Sequence, residues 1–357
     1  MTEPRPHKSP AATPASAPAD AAPVIAWTGA RDGVWNCYHD EKGGGRSQLA
    51  IDEIRAAIES GTGTLWVDLD NRNPEEVALL TDVFRFHPLA VEDSLNPDSR
   101  VKVEEYDGYL ILIVRTIDFV RETEDPYDIE TVNLTCFLGR NYLVTVHGAQ
   151  DTPVRTTAEL LSRKPELAAA GAARLMHAVV DQAVNAYFPI LDQLDLFMDG
   201  LEEKVFASFD QSALREIFSV KRLVLSLRRH LAPQRDVFSV VTNRPSSLLT
   251  VETQIYYRDI HDHVLRINDA LETYRELLSN TLDSYLTQVS NRLGTVTKAL
   301  SAVATVSLPF VVVSGMWGMN FDSIPLAHSP YGFWTMLVVQ LGLGFLLLAI
   351  LRWRKLL

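Results

Sequence analysis

Residues 282–321 read LDSYLTQVSNRLGTVTKALSAVATVSLPFVVVSGMWGMNF, and this stretch decides the fold. Its second half, Ala299 to Phe321, has 23 residues without a charge, and Ser323 to Leu351 adds 29 more. Within the later run, Phe333–Leu351 (FWTMLVVQLGLGFLLLAIL) is 19 largely apolar residues. At about 1.5 Å per residue that crosses the roughly 30 Å hydrocarbon core of a bilayer. The first run is richer in Ser, Thr and Gly, which suits a helix packed on protein or lining water better than one facing lipid. Two adjacent uncharged runs closed by Arg352, Arg354 and Lys355 read as two transmembrane helices, not as a buried hairpin of a soluble core. Lys298 precedes the first span, and the loop from Asp322 to Tyr331 lacks Lys and Arg. By the positive-inside rule both termini are cytoplasmic, giving a multi-pass protein of the inner (plasma) membrane.

The rest of the chain is acidic. Of 357 residues, 33 are Lys or Arg and 45 are Asp or Glu, a net charge of −12. From Arg292 onward the charged residues are only Arg292, Lys298, Asp322, Arg352, Arg354 and Lys355, so the negative excess sits upstream. A nucleic-acid partner would require a basic domain and is excluded. Two cysteines, Cys37 and Cys136, make neither a disulfide framework nor a Cys-rich metal site. No phosphate-binding loop, dinucleotide turn or nucleophile–base arrangement occurs, so no enzyme and no cofactor are expected.

Upstream of the spans the chain divides by pattern. Residues 1–23 form an Ala/Pro-rich tail expected to be disordered, with no secretory signal. Residues 24–170 read as a cytoplasmic α/β domain, with strand candidates VIAWTGA, TLWVDLD, YLILIVRTIDFV, TVNLTCFLG and NYLVTVHG. Ala50–Ser60 and Pro74–Phe86 are its helix candidates, the second opened by Asn73-Pro74, and Gly43-Gly44-Gly45 reads as a turn. Residues 171–249 form long antiparallel helices, Arg174–Phe206 and Gln211–Thr242, the latter bent or broken near Pro233. Residues 250–320 make a stalk and pore-lining helix with its membrane span at 299–319, followed by an outer loop at 321–331. A second transmembrane helix occupies 332–351 and a basic cytoplasmic end 352–357. Sixty helical residues extend about 90 Å, so this helix runs from the soluble part straight into the membrane.

Stepping along that helix by four and three residues visits Asp283, Thr287, Ser290, Gly294, Thr297, Ser301, Ala304, Leu308, Val311 and Gly315. Seven polar or tiny positions are followed by apolar ones. A neighbouring stripe, Leu286, Val289, Leu293, Val296, Leu300, Val303 and Phe310, is greasy. The 3–4 alternation is the heptad period of helices that bundle. One reading is a symmetric oligomer with the greasy stripe between subunits and the hydroxyl stripe lining a wet pore gated by rings of Leu308 and Val311. The other has Ser and Thr bonding back to their own helix carbonyls.

Gly318-Met319-Asn320 stands at the outer end of the first span. That tripeptide, a short loop, one more span and a basic C-terminus together resemble the CorA-type magnesium and divalent-cation channel family. Upstream segments resemble it too: HPLAVEDSLNPDSRVKVEEYDGYLILIV, DQAVNAYF, RRHLAPQRDVF, YYRDIHDHV and LDSYLTQVSN. The resemblance implies a funnel-shaped homopentamer with an α/β cytoplasmic domain, a long helical stalk and two transmembrane helices per subunit. It implies an inner-membrane channel for Mg²⁺ influx, with Co²⁺ and Ni²⁺ as passengers and Gly318, Met319 and Asn320 as the selectivity mouth. Mg²⁺ dehydrates reluctantly, and a ring of Asn320 amides can hold it hydrated. The resemblance further implies that cytosolic Mg²⁺ is a regulatory ligand that closes the channel. Asp93 would face Asp283 of a neighbour, and Glu92, Asp181 and Asp259 would form a second cluster. Gly294 and Val311 depart from the family pattern, which commonly has Asn and Thr there. His261 and His263, two apart and about 200° around a helix, cannot share one ion and are read as ordinary core or surface residues. The alternatives are a zinc transporter of the same superfamily and a non-conducting divalent-cation sensor.

Overall fold

A computed structural model describes residues 34–40, 44–120, 123, 126–148, 152–207, 211–319, 324–326 and 329–354. The expected tail at 1–23 and the strand candidate VIAWTGA lie outside the described residues, as do Asn320 and Asp322. The chain divides into two compact units, Met1–Phe197 with Ser219–Arg275, and Met198–Phe218 with Glu276–Leu357.

In the first unit β1 (Trp35–His39), β2 (Gly45–Ser47), α1 (Ile51–Ser60), β3 (Thr64–Asp70), α2 (Pro74–Asp82) and α3 (Pro88–Leu95) come first. Next are β4 (Lys102–Tyr106), β5 (Tyr109–Phe119), β6 (Ile129–Gly139), β7 (Tyr142–His147), α4 (Thr152–Arg163), α5 (Glu166–Ala169) and α6 (Ala172–Asn185). The strands form one sheet in the order β2-β1-β3-β7-β6-β5-β4. Among the described residues only β3 and β7 pair in parallel, with Leu65 opposite Tyr142 and Asp70 opposite His147.

Alternation along β3 sends Leu65, Val67 and Leu69 into a core shared with Ile54, Leu80, Phe86, Ala90 and Phe137. The opposite positions on β3 and β7 carry a buried polar network. The Trp66 indole N–H donates to the Thr145 hydroxyl at 3.0 Å, and Thr145 donates to Asp68 at 2.6 Å. The His147 ring nitrogen Nε2 lies 3.0 Å from the same carboxylate oxygen. The apolar patterning predicts β3, β5, β6 and β7 nearly to the residue. It misses β1, β2 and β4, the last an edge strand whose KVEEY is exposed or half-buried throughout.

α2 and α3 open on side-chain caps. Asn73 accepts from the Glu75 amide to open α2. The His87 Nδ1 accepts from the Leu89 amide at 3.2 Å, and Pro88 sets the first turn of α3. The helix expected over Arg174–Phe206 is two helices, α6 and α7 (Phe188–Ala207). Pro189 has no N–H for the Asn185 carbonyl, so the ladder stops there. Of the bend or break expected near Pro233, the break does not occur: α8 runs from Gln211 to Asn243 with Pro233 inside.

α9 is one helix of 67 residues, Val251–Trp317, and carries Pro309 within it. Thr250 caps it, its hydroxyl accepting from the Thr253 amide at 3.3 Å. In the second unit the end of α9 meets α10 (Gly332–Trp353). Both helices are long and apolar enough to cross a membrane. The Gln340 amide of α10 donates to the Ser314 hydroxyl at 3.1 Å, which satisfies the one strongly polar side chain of that span. Gly344 of α10 lies under Phe310, and a Cβ there would come 2.6 Å from the Phe310 ring. At the start of α10 a Cβ on Gly332 would sit 2.2 Å from the Leu326 carbonyl oxygen, so only glycine fits against Leu326 there.

Candidate ion pathway and metal-binding groups

All ten stripe positions, Asp283, Thr287, Ser290, Gly294, Thr297, Ser301, Ala304, Leu308, Val311 and Gly315, are exposed in the single chain. Within the span, α9 meets α10 through Phe310 and Ser314. At about 100° per residue, the Ser301–Gly315 face is centred roughly 120° from that contact. The hydroxyl stripe therefore points away from α10. Thr287 follows the back-bonding alternative, its hydroxyl donating to the Asp283 carbonyl at 2.8 Å. Thr305 and Ser307, beside the stripe, do the same toward Ser301 and Val303. Among the described residues Ser290, Thr297 and Ser301 make no such bond, so their hydroxyls stay free for water.

Most of the greasy stripe is uncovered too, with Leu286, Leu293, Val296, Leu300 and Val303 all more than half exposed and Val289 and Phe310 partly buried. Leu308 and Val311 are 65% and 67% exposed. α9 ends at Trp317, and the Gly318 amide closes it by donating to the Ser314 carbonyl at 3.0 Å. Met319 is exposed beyond it.

A second set of groups lies in the first unit. Asp181 on α6 and Asp259 and His263 on α9 bring one ligand atom each within 4.8 Å of one another. Asp259 and His263 are one helical turn apart, with Nε2 and a carboxylate oxygen 4.0 Å apart. The Asn185 amide donates to Asp181 at 2.9 Å and orients it. Burial raises the Asp181 pKa above its ordinary value and neighbouring Asp259 adds to this, while His263 and the Asn185 bond oppose it. The His263 Nδ1 is buried without a partner among the described residues. Two carboxylates and an imidazole on two rigid helices form a donor set able to take a divalent ion. Sequence reasoning names both carboxylates but sets His263 aside. It compares His263 with His261, whereas the i, i+4 spacing from Asp259 is the informative one.

The other acidic residues are placed differently. Glu92 is exposed on α3 and is not part of this group. Asp93 is held by Lys102, with Nζ 2.6 Å from its carboxylate, and the same ammonium reaches Glu104 at 2.9 Å. Burial alone would lower the Lys102 pKa, but hydrogen bonds and charge from Asp93 and Glu104 outweigh it and the value is raised. Asp283 is exposed.

A sheet domain bearing a carboxylate–imidazole group, together with two membrane-length helices, defines a two-span membrane protein that handles cations. The chain belongs to the CorA-like Mg²⁺ transporter family, whose pattern matches residues 61–354. It is 31% identical over 278 residues to YfjQ of Bacillus subtilis, covering 78% of this chain and 85% of that one. It is 28% identical over 294 residues to the cobalt/magnesium transport protein CorA of Thermotoga maritima, covering 81% and 82%. The complete structure of the CorA magnesium transporter from Methanocaldococcus jannaschii superposes with a TM-score of 0.78 at 21% identity, over 89% of this chain and 97% of that one. The chain is thus a divalent-cation transporter of the membrane and not an enzyme.

Proposed function

We propose that the chain forms a homopentameric channel admitting Mg²⁺ to the cytoplasm across the inner membrane, with both termini inside. The observation that carries this reading is the exposed hydroxyl stripe on the face of α9 turned away from α10. In a ring of copies that face lines the axis, and free hydroxyls at Ser290, Thr297 and Ser301 can hydrogen-bond the waters of a hydrated ion. Gly318, Met319 and Asn320 form the outer mouth, where dipoles alone hold the hydrated ion and release it. Leu308 and Val311 form apolar rings that close by dewetting. A dication crossing about 100 mV gains about 4.6 kcal/mol, so the membrane potential is a sufficient driving force.

Regulation follows from the acidic groups. Mg²⁺ at Asp181 and Asp259, with Glu92 from a neighbouring subunit, and at Asp93 with a neighbour's Asp283, bridges subunits that otherwise repel. High internal Mg²⁺ therefore closes the channel. The His263 imidazole favours a second reading in which Co²⁺, Ni²⁺ or Zn²⁺ is a cargo or effector, since imidazole suits these ions better than Mg²⁺.

Flux of Mg²⁺, Co²⁺, Ni²⁺ and Zn²⁺ into liposomes holding the full chain and an ion-sensitive dye tests the proposal. Potential-dependent Mg²⁺ entry that rises in Leu308→Ser supports it. A protein that binds divalent ions but passes none is a sensor, and that outcome refutes the channel.

A further inference from the structure

A cleft of about 510 Å³ lies in the first unit between the loop after α3 and α8. Its charged lining is Arg100, Arg115 and Arg229 against the single carboxylate of Asp98, with His230 beside them. Three guanidinium groups together are unexpected in a chain whose acids outnumber its bases by 45 to 33.

Arg115 is the informative one. It is half-buried and contacts no carboxylate among the described residues. Its Nε donates to the Asn133 side-chain oxygen at 2.9 Å, and one terminal nitrogen donates to the Pro97 and Ser99 carbonyls, both at 3.1 Å. The other terminal nitrogen lies 3.0 Å from the His230 Nδ1. Every acceptor is neutral, so the positive charge is positioned and left uncompensated. Burial, then Arg115 and Arg229, lower the His230 pKa. A neutral ring accepting from Arg115 at Nδ1 carries its proton on Nε2, an additional donor. Arg100 and Arg229 are exposed and form no ion pair among the described residues.

A separate observation points to a ligand. Ser99 is 6% exposed, it lines the cleft, and its hydroxyl has no hydrogen-bond partner among the described residues. A buried hydroxyl without a partner is costly. A tetrahedral oxyanion would satisfy it and the guanidinium groups together, since guanidinium geometry matches phosphate oxygens.

We propose that this cleft is a binding site for a phosphoryl anion, free or as the polyphosphate of a nucleotide. Arg100, Arg115 and Arg229 supply the charge, and Ser99 with His230 supply neutral donors. The volume accommodates a ligand larger than orthophosphate. The site is independent of the carboxylate group at Asp181.

The test is calorimetric titration of the full chain in detergent with inorganic pyrophosphate and, separately, with ATP. EDTA is present throughout, so no metal complex can bind at the carboxylates, and ionic strength is held with chloride. Saturable binding that weakens at least about tenfold in both Arg229→Gln and Arg100→Gln supports the proposal. Those positions are exposed, and an unchanged ligand-free melting midpoint shows the fold intact. Ser99→Ala weakens binding by a smaller factor. ATP binding tighter than pyrophosphate assigns the site to nucleotides, and equal binding assigns it to the free phosphoryl anion. No saturable heat up to millimolar ligand, or equal affinity in wild type and both arginine variants, overturns it.

Discussion

Asp259→Asn is the most direct probe of the carboxylate–imidazole group. The ligand atoms of Asp181, Asp259 and His263 all lie within 4.8 Å of one another, so a cation at their centre is about 2.8 Å from each. At a water-like dielectric, a dication and one carboxylate at that distance attract by about 3 kcal/mol. Asn keeps an oxygen ligand and the side-chain volume while removing the charge, so the loss is electrostatic. About 3 kcal/mol is roughly a hundredfold in affinity. Melting of the detergent-solubilised chain, followed against Mg²⁺ and Ni²⁺ concentration, reads that shift as a higher half-effective concentration. His263→Gln separates the contributions further: it weakens Ni²⁺ more than Mg²⁺, because it removes a nitrogen ligand and no negative charge. Equal half-effective concentrations for wild type and Asp259→Asn would show that the group holds no divalent ion.

Lys102→Gln frees Asp93 from its ammonium partner, and internal Mg²⁺ then inhibits flux at a several-fold lower concentration, read as a shifted inhibition curve in liposomes. Gly344→Val drives a side chain into Phe310 and destabilises the helix pair by about 1–3 kcal/mol; Phe310→Ala in the same chain restores the melting midpoint in part. The raised Asp181 pKa means that this carboxyl keeps its proton to a higher pH than an ordinary one. Metal binds the deprotonated form, so the half-effective Mg²⁺ concentration rises as pH falls, and between pH 7.5 and 5 it rises more in wild type than in Asp181→Asn.

What the sequence made legible depends on how locally each feature is determined. β3, β5, β6 and β7 stand out because buried strands need Val, Ile, Leu and Phe in short runs. β4 does not, because pairing on one edge leaves KVEEY in solvent and removes the alternation. The split between α6 and α7 was legible in Pro189, though apolar periodicity continues across it and masks the break. Asp181 and Asp259 were found through resemblance, because 78 residues separate them and no local spacing brings them together. His263 was within reach of elementary helix geometry, once paired with Asp259. The arginine cleft leaves no sequence signature, since Arg100, Arg115 and Arg229 meet only when the loop after α3 packs near α8.

The faces of α9 also constrain how copies must meet in the proposed ring. Around Leu300 the greasy ridge (Val296, Leu300 and Val303) stands about 100° from the hydroxyl stripe, on one flank only. The other flank carries Asn291, Thr295 and Lys298. An isologous contact, greasy ridge on greasy ridge, would satisfy a pair of copies and stop there. It would also leave the hydroxyl stripe without an enclosed axis. Placing the greasy ridge of one copy against the polar flank of the next is a heterologous contact, and repeated rotation closes it into a ring. At that contact the aliphatic stem of Lys298 can lie along Leu300 and Val303 while its ammonium reaches the membrane boundary. Lys298→Glu therefore loosens the ring more than Arg292→Glu, which sits two turns earlier and outside the uncharged run. Crosslinking of the purified chain reads this as loss of the largest oligomer. Equal effects of the two substitutions would argue that the greasy ridge faces lipid instead of the next copy.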